Sequence, residues 1–392
     1  MKTIRNIASI LFVAFATLGF ISCTSHQEKV SDETNTLTLD ETKVKEEIFS
    51  DEFCDFTFIP LETNEKCLIS QIQKLAVTDN GFYVFSEDPV PAVYSFNLDG
   101  SYNCNIGSLG HAKNEYIDII NMDADPSGEK IAIIETHDKV KIFDKTGKLQ
   151  NDQKILDEDY GICEMLMTPK GYYLGLNERI GNHMMAYYDE NFQKQDDGIS
   201  VKPIGGAGMI CPRFYHSNQY DNGKICLLDW VSSTFYLTSE DSIDEVKCFP
   251  IMGENMLTED KIPENGMLRD QNLGYVSSYV FTGNMIRGRI MSSTKFMNFR
   301  LNVDTSELEL VKIHGGSYDN LYYHGGYFYR IYPVDNILHM IDPKNEGMYS
   351  DKEHNPGMFY KRELLKDAIE PIKGTIKESD NPYLLRMRLK KN

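Results

Sequence analysis

Two His-Gly-Gly triplets, at 314–316 and 324–326, are the first residues in this chain whose types could do chemistry. The amides of such a loop can form an oxyanion hole, and paired histidines can ligate a metal. Each reading has a further requirement. A hydrolase oxyanion hole needs a Gly-x-Ser-x-Gly elbow between strand and helix, and the sequence has neither that elbow nor an alternating βα pattern. No His-Glu-x-x-His occurs, and the nine histidines are scattered. Gly315-Gly316 follows the apolar run "LELVKI", and Gly325-Gly326 divides "NLYYH" from "YFYRIY". Both are expected to be turns, where glycine takes backbone angles that other residues resist.

Other candidate chemistry is treated the same way. "DADPSGEKIAII" (123–134) opens like a calcium loop, with Asp123, Asp125, Ser127 and Gly128 at its start. A twelve-residue calcium loop ends in a bidentate Glu, and Ile134 stands there instead. A β-hairpin turn running into a strand at 130–135 is the expectation. "IGGAGMICPR" (204–213) lacks the Lys-Ser/Thr of a phosphate loop and the third glycine of a dinucleotide fingerprint, so it reads as a connection. The eight cysteines contain no C-x-x-C pair, which leaves a structural zinc site unsupported. One or two disulfides are compatible with an oxidising compartment, but the spacing names no partners.

The elements around these residues are strands. "FYVFSE" (82–87), "AVYSFNLDG" (92–100), "KIAIIET" (130–136) and "KVKIFDKTGK" (139–148) are short β-branched or aromatic runs punctuated by Gly, Asp and Asn. The turn Asn97-Leu98-Asp99-Gly100 is followed by Asp144-Lys145-Thr146-Gly147 and by Asp189-Glu190-Asn191, at steps of about 47 and 45 residues. Repeats of that length, each worth four strands, predict a β-propeller. Six blades are expected, starting near 68, 115, 161, 211, 273 and 318, with 246–272 as an insertion between the fourth and fifth. The strand at 53–62 and that at 381–390 are expected to share a blade and close the ring. "KRELLKDAIEPIK" (361–373) has the apolar spacing of one short amphipathic C-terminal helix. The fold class is therefore all-β, a six-bladed propeller of four-stranded antiparallel blades over 51–392.

"FIPLETNEKCLISQIQKLAV" and "VYSFNLDGSYNCNIGSLGHAKNEYIDIINMDAD" resemble the opening of the six-bladed β-propeller lipoproteins of the Bacteroidota, relatives of NHL-repeat propellers. Ile106-Gly107, Gly110, Glu115 and Tyr116 match that family's first-blade ending, while His111-Ala112-Lys113-Asn114 replaces its Gly- and Pro-rich centre. The tail "ESDNPYLLRMRLKKN" resembles its closing Asp-Asn-Pro strand. The resemblance covers most of 53–392 and implies the fold, without a uniform activity. It also implies that a channel metal such as calcium, held by residues from several blades, would be invisible in a linear reading. No cofactor is expected otherwise.

Ligands usually meet a propeller where the loops between second and third strands and the blade-to-blade connectors gather. On the expected blade assignment those segments carry Asp88, His111, Asn114, His137, Arg179, His183, Asp229, Trp230 and Arg289 as the candidate ligand-binding rim. Trp230, the only tryptophan, could cover a sugar ring or a peptide side chain, or wedge two blades apart. The seven aromatics between Tyr318 and Tyr332 suggest a carbohydrate platform, but strand alternation places about half of them in the core.

The N-terminus supplies the cellular address. Lys2 and Arg5 precede an apolar run at 7–21, too short for a confident span, and Ser22-Cys23 ends it like an export signal. Residues 18–23 resemble a bacterial lipobox, with Cys23 as the lipid-attachment residue. Residues 1–22 are then a lipoprotein signal peptide and 23–50 a polar, acidic, flexible tether. The expected location is the cell envelope, anchored to the outer membrane through the lipid, on either its periplasmic or its outer face. Losing Lys2 and Arg5 takes the net charge from −19 to about −21, which opposes nucleic-acid binding. Without a catalytic constellation, the chain reads as a ligand-binding or protein-interaction module for a glycan, a peptide or an envelope protein. The alternative is a propeller enzyme, a lyase or hydrolase with channel histidines or a metal.

Overall fold

The structure, a computed structural model, describes residues 30–34, 36–155, 161–176, 185–196, 199, 220–221, 223–229, 231–240, 242–258, 261, 273–292 and 295–391. The chain opens with three short strands, β1 (Val30–Thr34), β2 (Leu37–Thr38) and β3 (Val44–Ile48), one helical turn α1 (Phe49–Glu52) and the strand β4 (Phe53–Pro60). The first blade is β5 (Lys74–Val77), β6 (Phe82–Ser86), β7 (Ala92–Phe96) and β8 (Tyr102–Asn105). The second is β9 (Asn121–Ala124), β10 (Lys130–Thr136), β11 (Lys139–Asp144) and β12 (Leu149–Lys154), and the third β13 (Ile162–Thr168), β14 (Gly171–Leu176), β15 (Met185–Asp189) and β16 (Lys194–Asp196). The fourth is β17 (Tyr220–Asp221), β18 (Lys224–Asp229), β19 (Thr234–Ser239) and β20 (Ser242–Met252), and the fifth β21 (Tyr275–Phe281), β22 (Met285–Met291), β23 (Phe296–Asn302) and β24 (Glu307–His314). The sixth blade uses both ends of the chain: β25 (Leu321–His324), β26 (Tyr327–Tyr332) and the last strand, β27 (Tyr383–Leu389), continue into β4. Between β26 and β27 lie three helices, α2 (Val334–Ile341), α3 (Glu346–Ser350) and α4 (Pro356–Ile369).

The expected six-bladed propeller of four-stranded antiparallel blades is the observed fold. Strands at 53–62 and 381–390 do share a blade, with Tyr383 opposite Pro60 and Leu389 opposite Phe53. The stretch 246–252, expected within an insertion, is instead the second half of β20, paired to β19 at Cys248–Tyr236 and Phe249–Phe235.

Period-2 alternation explains why the blades form a ring. In β6, Phe82 and Val84 pack against Tyr322, Tyr329 and Leu384 of the sixth blade, while Tyr83 and Phe85 pack against Ile131, Ile133 and Phe143 of the second. In β10 the intervening Ala132 and Ile134 face Met165, Met167 and Leu174 of the third blade. In β18, Ile225 and Leu227 meet the third blade, and Cys226 and Leu228 meet the fifth. Each blade is thus apolar on both faces, and only a neighbour on each side removes both from water.

The N-terminal stretch corrects the sequence reading. A flexible tether was expected through residue 50, yet β2 pairs in parallel with the end of β20, and β3 pairs in parallel with β24 from Val44–Leu310 to Ile48–His314. Low apolar content did not prevent this, because these strands occupy blade edges and are held by backbone pairing and charge. Lys45 pairs with Glu309, Glu46 with Lys312 at 2.6 Å, and Glu47 with Arg300. The lipobox and Cys23 lie outside the described residues.

Candidate functional site

The innermost strands meet around the axis, with β5 against β9, β9 against β13, β21 against β25 and β25 against β5. Their side chains line the channel. Lys74 Nζ lies 3.3 Å from Glu164 Oε2, both nearly buried, and Asp123 Oδ2 accepts a 2.7 Å bond from the Met167 amide. Burial pushes the Asp123 carboxyl up to about 6 against the opposing pull of Lys74. Burial likewise raises Glu164, and Lys74 again opposes it. The cavity here, lined by Lys74, Asp123, Met165, Tyr322 and His324 among others, holds only about 60 Å³. That is room for water, since one molecule occupies about 30 Å³ in the liquid, and not for a sugar or peptide. Among the described residues no three His, Cys, Asp or Glu side chains are grouped to hold a metal ion.

Larger recesses flank the sixth blade at the end where the blade connectors enter. The end of β26 pairs with the starts of β25 and β27, Leu321 opposite Arg330 and Tyr332 opposite Tyr383, so residues 330–333 sit beside the connectors. On one side is a recess of about 800 Å³, lined by Gln71, Pro89, Tyr322, Asp335, Asp380 and Asn381 among others. On the other is one of about 620 Å³ between the connector 313–320 and the start of α4. Asn320 and Ile331 line both, so the two recesses adjoin, and together they are called the sixth-blade groove.

The positions expected at the rim divide into several groups. Asp88 and His111 are exposed in their loops. His137 is exposed in the β10–β11 loop, and its Nδ1 lies 3.0 Å from the Ile162 carbonyl. Asn114 is exposed in the connector between the first two blades, its Oδ1 accepting a 2.7 Å bond from the Leu149 amide at the start of the outermost strand β12. Asp229 is fully buried and accepts bonds from the Val231 and Ser232 amides and the Ser232 hydroxyl, which fixes the β18–β19 loop. Arg289 sits beside the sixth-blade groove, 2.8 Å from Asp319 and stacked over Phe296 at 4.1 Å. Arg179, His183 and Trp230 lie outside the described residues.

Several turn expectations are met. Gly325 and Gly326 form the β25–β26 turn with φ of +58° and +83°. Asp125 spends its carboxylate on Ser127 and on the Lys130 amide, so the calcium-like segment is a hairpin. Of the seven aromatics between Tyr318 and Tyr332, Tyr318, Tyr322, Phe328, Tyr329 and Tyr332 are buried, and Tyr323 and Tyr327 are half-buried. They are core rather than a platform. Cys54, Cys67, Cys104, Cys226 and Cys248 are free thiols. Sequence reasoning missed Arg330 and Lys361, which line the groove from β26 and α4. A signal was present in Arg330, a cation within an aromatic strand, but nothing linear joins it to Lys361.

The fold and groove define a class: a six-bladed propeller whose sixth blade carries a helical excursion over a recessed connector face. The chain belongs to the family described as domain of unknown function DUF4934, whose model matches residues 34–388. No curated protein matches it. Among solved structures it is similar to a protein of Bacteroides fragilis NCTC 9343 described provisionally as exported. The TM-score is 0.65 at 14% identity, over 91% of this chain and 100% of that one. It is also similar to a member of the DUF4221 family from Bacteroides vulgatus ATCC 8482, with a TM-score of 0.52 at 10% identity, over 87% and 98% of the two chains. At these identities the likeness is one of fold.

Proposed function

We propose that this chain is a lipid-anchored protein of the bacterial envelope, attached through Cys23, that works as a ligand-binding or interaction module for a glycan or a peptide. The groove flanking the sixth blade carries this reading. Its two halves, about 800 and 620 Å³, are within the size range of small-molecule sites, whereas the cavity beside Lys74 and Asp123, among the described residues, holds about 60 Å³. The lipobox-like 18–23 supports the anchor, and among the described residues no helix is long and apolar enough to cross a membrane. The similarity to a Bacteroides protein described as exported agrees with the address.

Two experiments test the reading. Metabolic labelling with a radiolabelled fatty acid should mark the wild-type chain and spare Cys23→Ala. Glycan-array and peptide-panel binding by the folded chain should yield a ligand whose affinity falls on substituting Asn320, which lines both halves of the groove. Blank panels with correctly folded protein sink the binding reading. The alternative enzyme reading rests on channel histidines or a bound metal. It requires stoichiometric metal or a chelator-sensitive activity in the purified protein.

A further inference from the structure

The half of the groove beneath α4 is positively charged and incompletely satisfied. Arg330 and Lys361 both line it, and neither has a carboxylate partner within ion-pair distance among the described residues. Arg330 donates to the Ser317 carbonyl, but its Nε is buried without a hydrogen-bond partner. Tyr332 also lines the recess. It is only 4% exposed, and its hydroxyl is likewise buried without a partner. Lys361 Nζ stands 5.3 Å from the centre of the Tyr332 ring. Burial, and then the nearby Arg330, push the Lys361 ammonium below its ordinary range.

The N-terminus of α4 completes the wall. This helix of 14 residues begins at Pro356, and its N-cap residue Asn355 makes no side-chain capping bond. The amides of Gly357 and Met358, which have no partner within the helix, therefore stay available at the positive end of the helix dipole. The charged groups nearby are otherwise occupied. Asp319 is held by Arg289 at 2.8 Å and by Ser278 at 2.9 Å, and His354 is held by Asp351 at 3.1 Å. On a chain of net charge −19, two unpaired cations, an idle hydroxyl and an uncapped helix start in one recess are a local inversion of the molecule's electrostatics.

We propose that this recess binds a tetrahedral oxyanion, a phosphate or sulfate, either free or as the ester of a sugar. The donors come from different elements of one recess, from β26, from α4 and from the helix start, which suits four oxygens better than a planar carboxylate. About 620 Å³ leaves space for a hexose beside the anion. This deepens the binding-module reading and rests on its groove.

The test is isothermal titration of the folded chain with inorganic phosphate, inorganic sulfate, glucose 6-phosphate and glucose. Saturable binding is expected for the anions, weakening as salt rises, with no heat from glucose. Glucose 6-phosphate binding more tightly than inorganic phosphate assigns the ester as ligand, and equal affinity assigns the free anion. Lys361→Met, which removes a side chain with no hydrogen bond of its own, should weaken the anion about tenfold with thermal unfolding unchanged. Tyr332→Phe keeps the ring in the core and should weaken it about threefold to tenfold. Anion binding unaltered in both variants, or no saturable binding by wild type, overturns the proposal. A neutral glycan or peptide that still binds wild type in that case leaves the wider binding reading standing.

Discussion

The side-chain carbonyl of Asn381 accepts a 2.8 Å hydrogen bond from the backbone amide of Ile69, 312 positions away in the chain. The same amide group donates to the carbonyls of Glu62 and Cys67 at 2.7 and 2.9 Å, and the Asn381 backbone N–H reaches Thr63 Oγ1 at 2.7 Å. One buried side chain thus ties the start of β27 to the segment leading into the first blade, where the ring closes. Asn381→Ala removes the side-chain partner of the buried Ile69 amide and a donor to each of the Cys67 and Glu62 carbonyls, and is expected to cost about 2–4 kcal/mol, read from urea unfolding. Asn381→Asp is expected to be at least as harmful at neutral pH, because its carboxylate would face two carbonyl oxygens. An alanine variant within 0.5 kcal/mol of wild type, about the noise expected for surface changes, would mean the closure is held by strand pairing alone.

Gly316 and Gly325, one in each His-Gly-Gly triplet, need glycine for different reasons, and substitution should separate them. Gly325 and Gly326 both have positive φ, and a Cβ at either meets nothing within 4 Å. Asn tolerates that conformation, so Gly325→Asn is expected to be nearly neutral, whereas Gly325→Val should cost about 1–2 kcal/mol. At Gly316 the limit is space, since a Cβ would lie 2.3 Å from the Phe49 ring. Gly316→Ala and Gly316→Asn should both destabilise, and Gly316→Ala should regain stability when combined with Phe49→Leu. Equal losses for Asn at 316 and 325, measured by thermal unfolding, would contradict this division.

The blades were legible because their information is local. Runs such as "KIAIIET" alternate with period 2, and each turn announces itself with Asp, Asn or Gly, so the innermost strands begin at Lys74, Asn121, Ile162, Tyr220, Tyr275 and Leu321, close behind the expected starts. The closing strand was legible for the same reason. Residues 37–48 were not, because edge strands held by Glu46–Lys312 and Glu47–Arg300 carry no apolar signature. The groove was illegible because Arg330 and Lys361 approach through folding of a helical excursion, and no spacing rule anticipates that. The rim expectation found Arg289 beside the groove, but it also collected Asn114 and Asp229, whose side chains are consumed by turns and connectors. Polar residues in loops serve the backbone as often as a ligand.

Arg300 anchors the N-terminal strands. It contacts Glu47, Glu52 at 3.3 Å and Glu309 at 3.2 Å, and donates through Nε to the Tyr318 hydroxyl at 2.6 Å. Burial works against its charge, but Glu47, Tyr318 and Glu52 hold it firmly protonated. Arg300→Met leaves Glu47 without a cation and leaves Glu52 and Glu309 to Arg287 and Lys45 alone, with three carboxylates close together. The expected cost is about 3 kcal/mol, together with faster hydrogen exchange of the β3 amides. Exchange in β3 equal to wild type would show that backbone pairing with β24 alone secures this strand.

Asp123 supplies a pH signature for the channel. Its carboxyl rises from 3.8 to about 6, chiefly through burial, while Lys74 and the Met167 amide favour the charged form. A folded pKa above the unfolded one means that the native state holds this proton more tightly. The associated stability is therefore complete below about 3.8 and is lost as pH climbs through 6. Glu164 is raised in the same direction, so the channel as a whole favours mildly acid conditions. Asp123→Asn keeps an oxygen for the Met167 amide and removes the titration. It is expected to be more stable than wild type at pH 7 by about 1–2 kcal/mol, with the gap closing as pH falls from about 6 to about 4. Lys74→Met should act in the opposite sense at pH 7, because Asp123 and Glu164 would lose their nearest cation. Unfolding curves collected from pH 3.5 to 8 decide the matter: an Asp123→Asn variant less stable than wild type at pH 7 would mean that attraction to Lys74 outweighs the burial of Asp123.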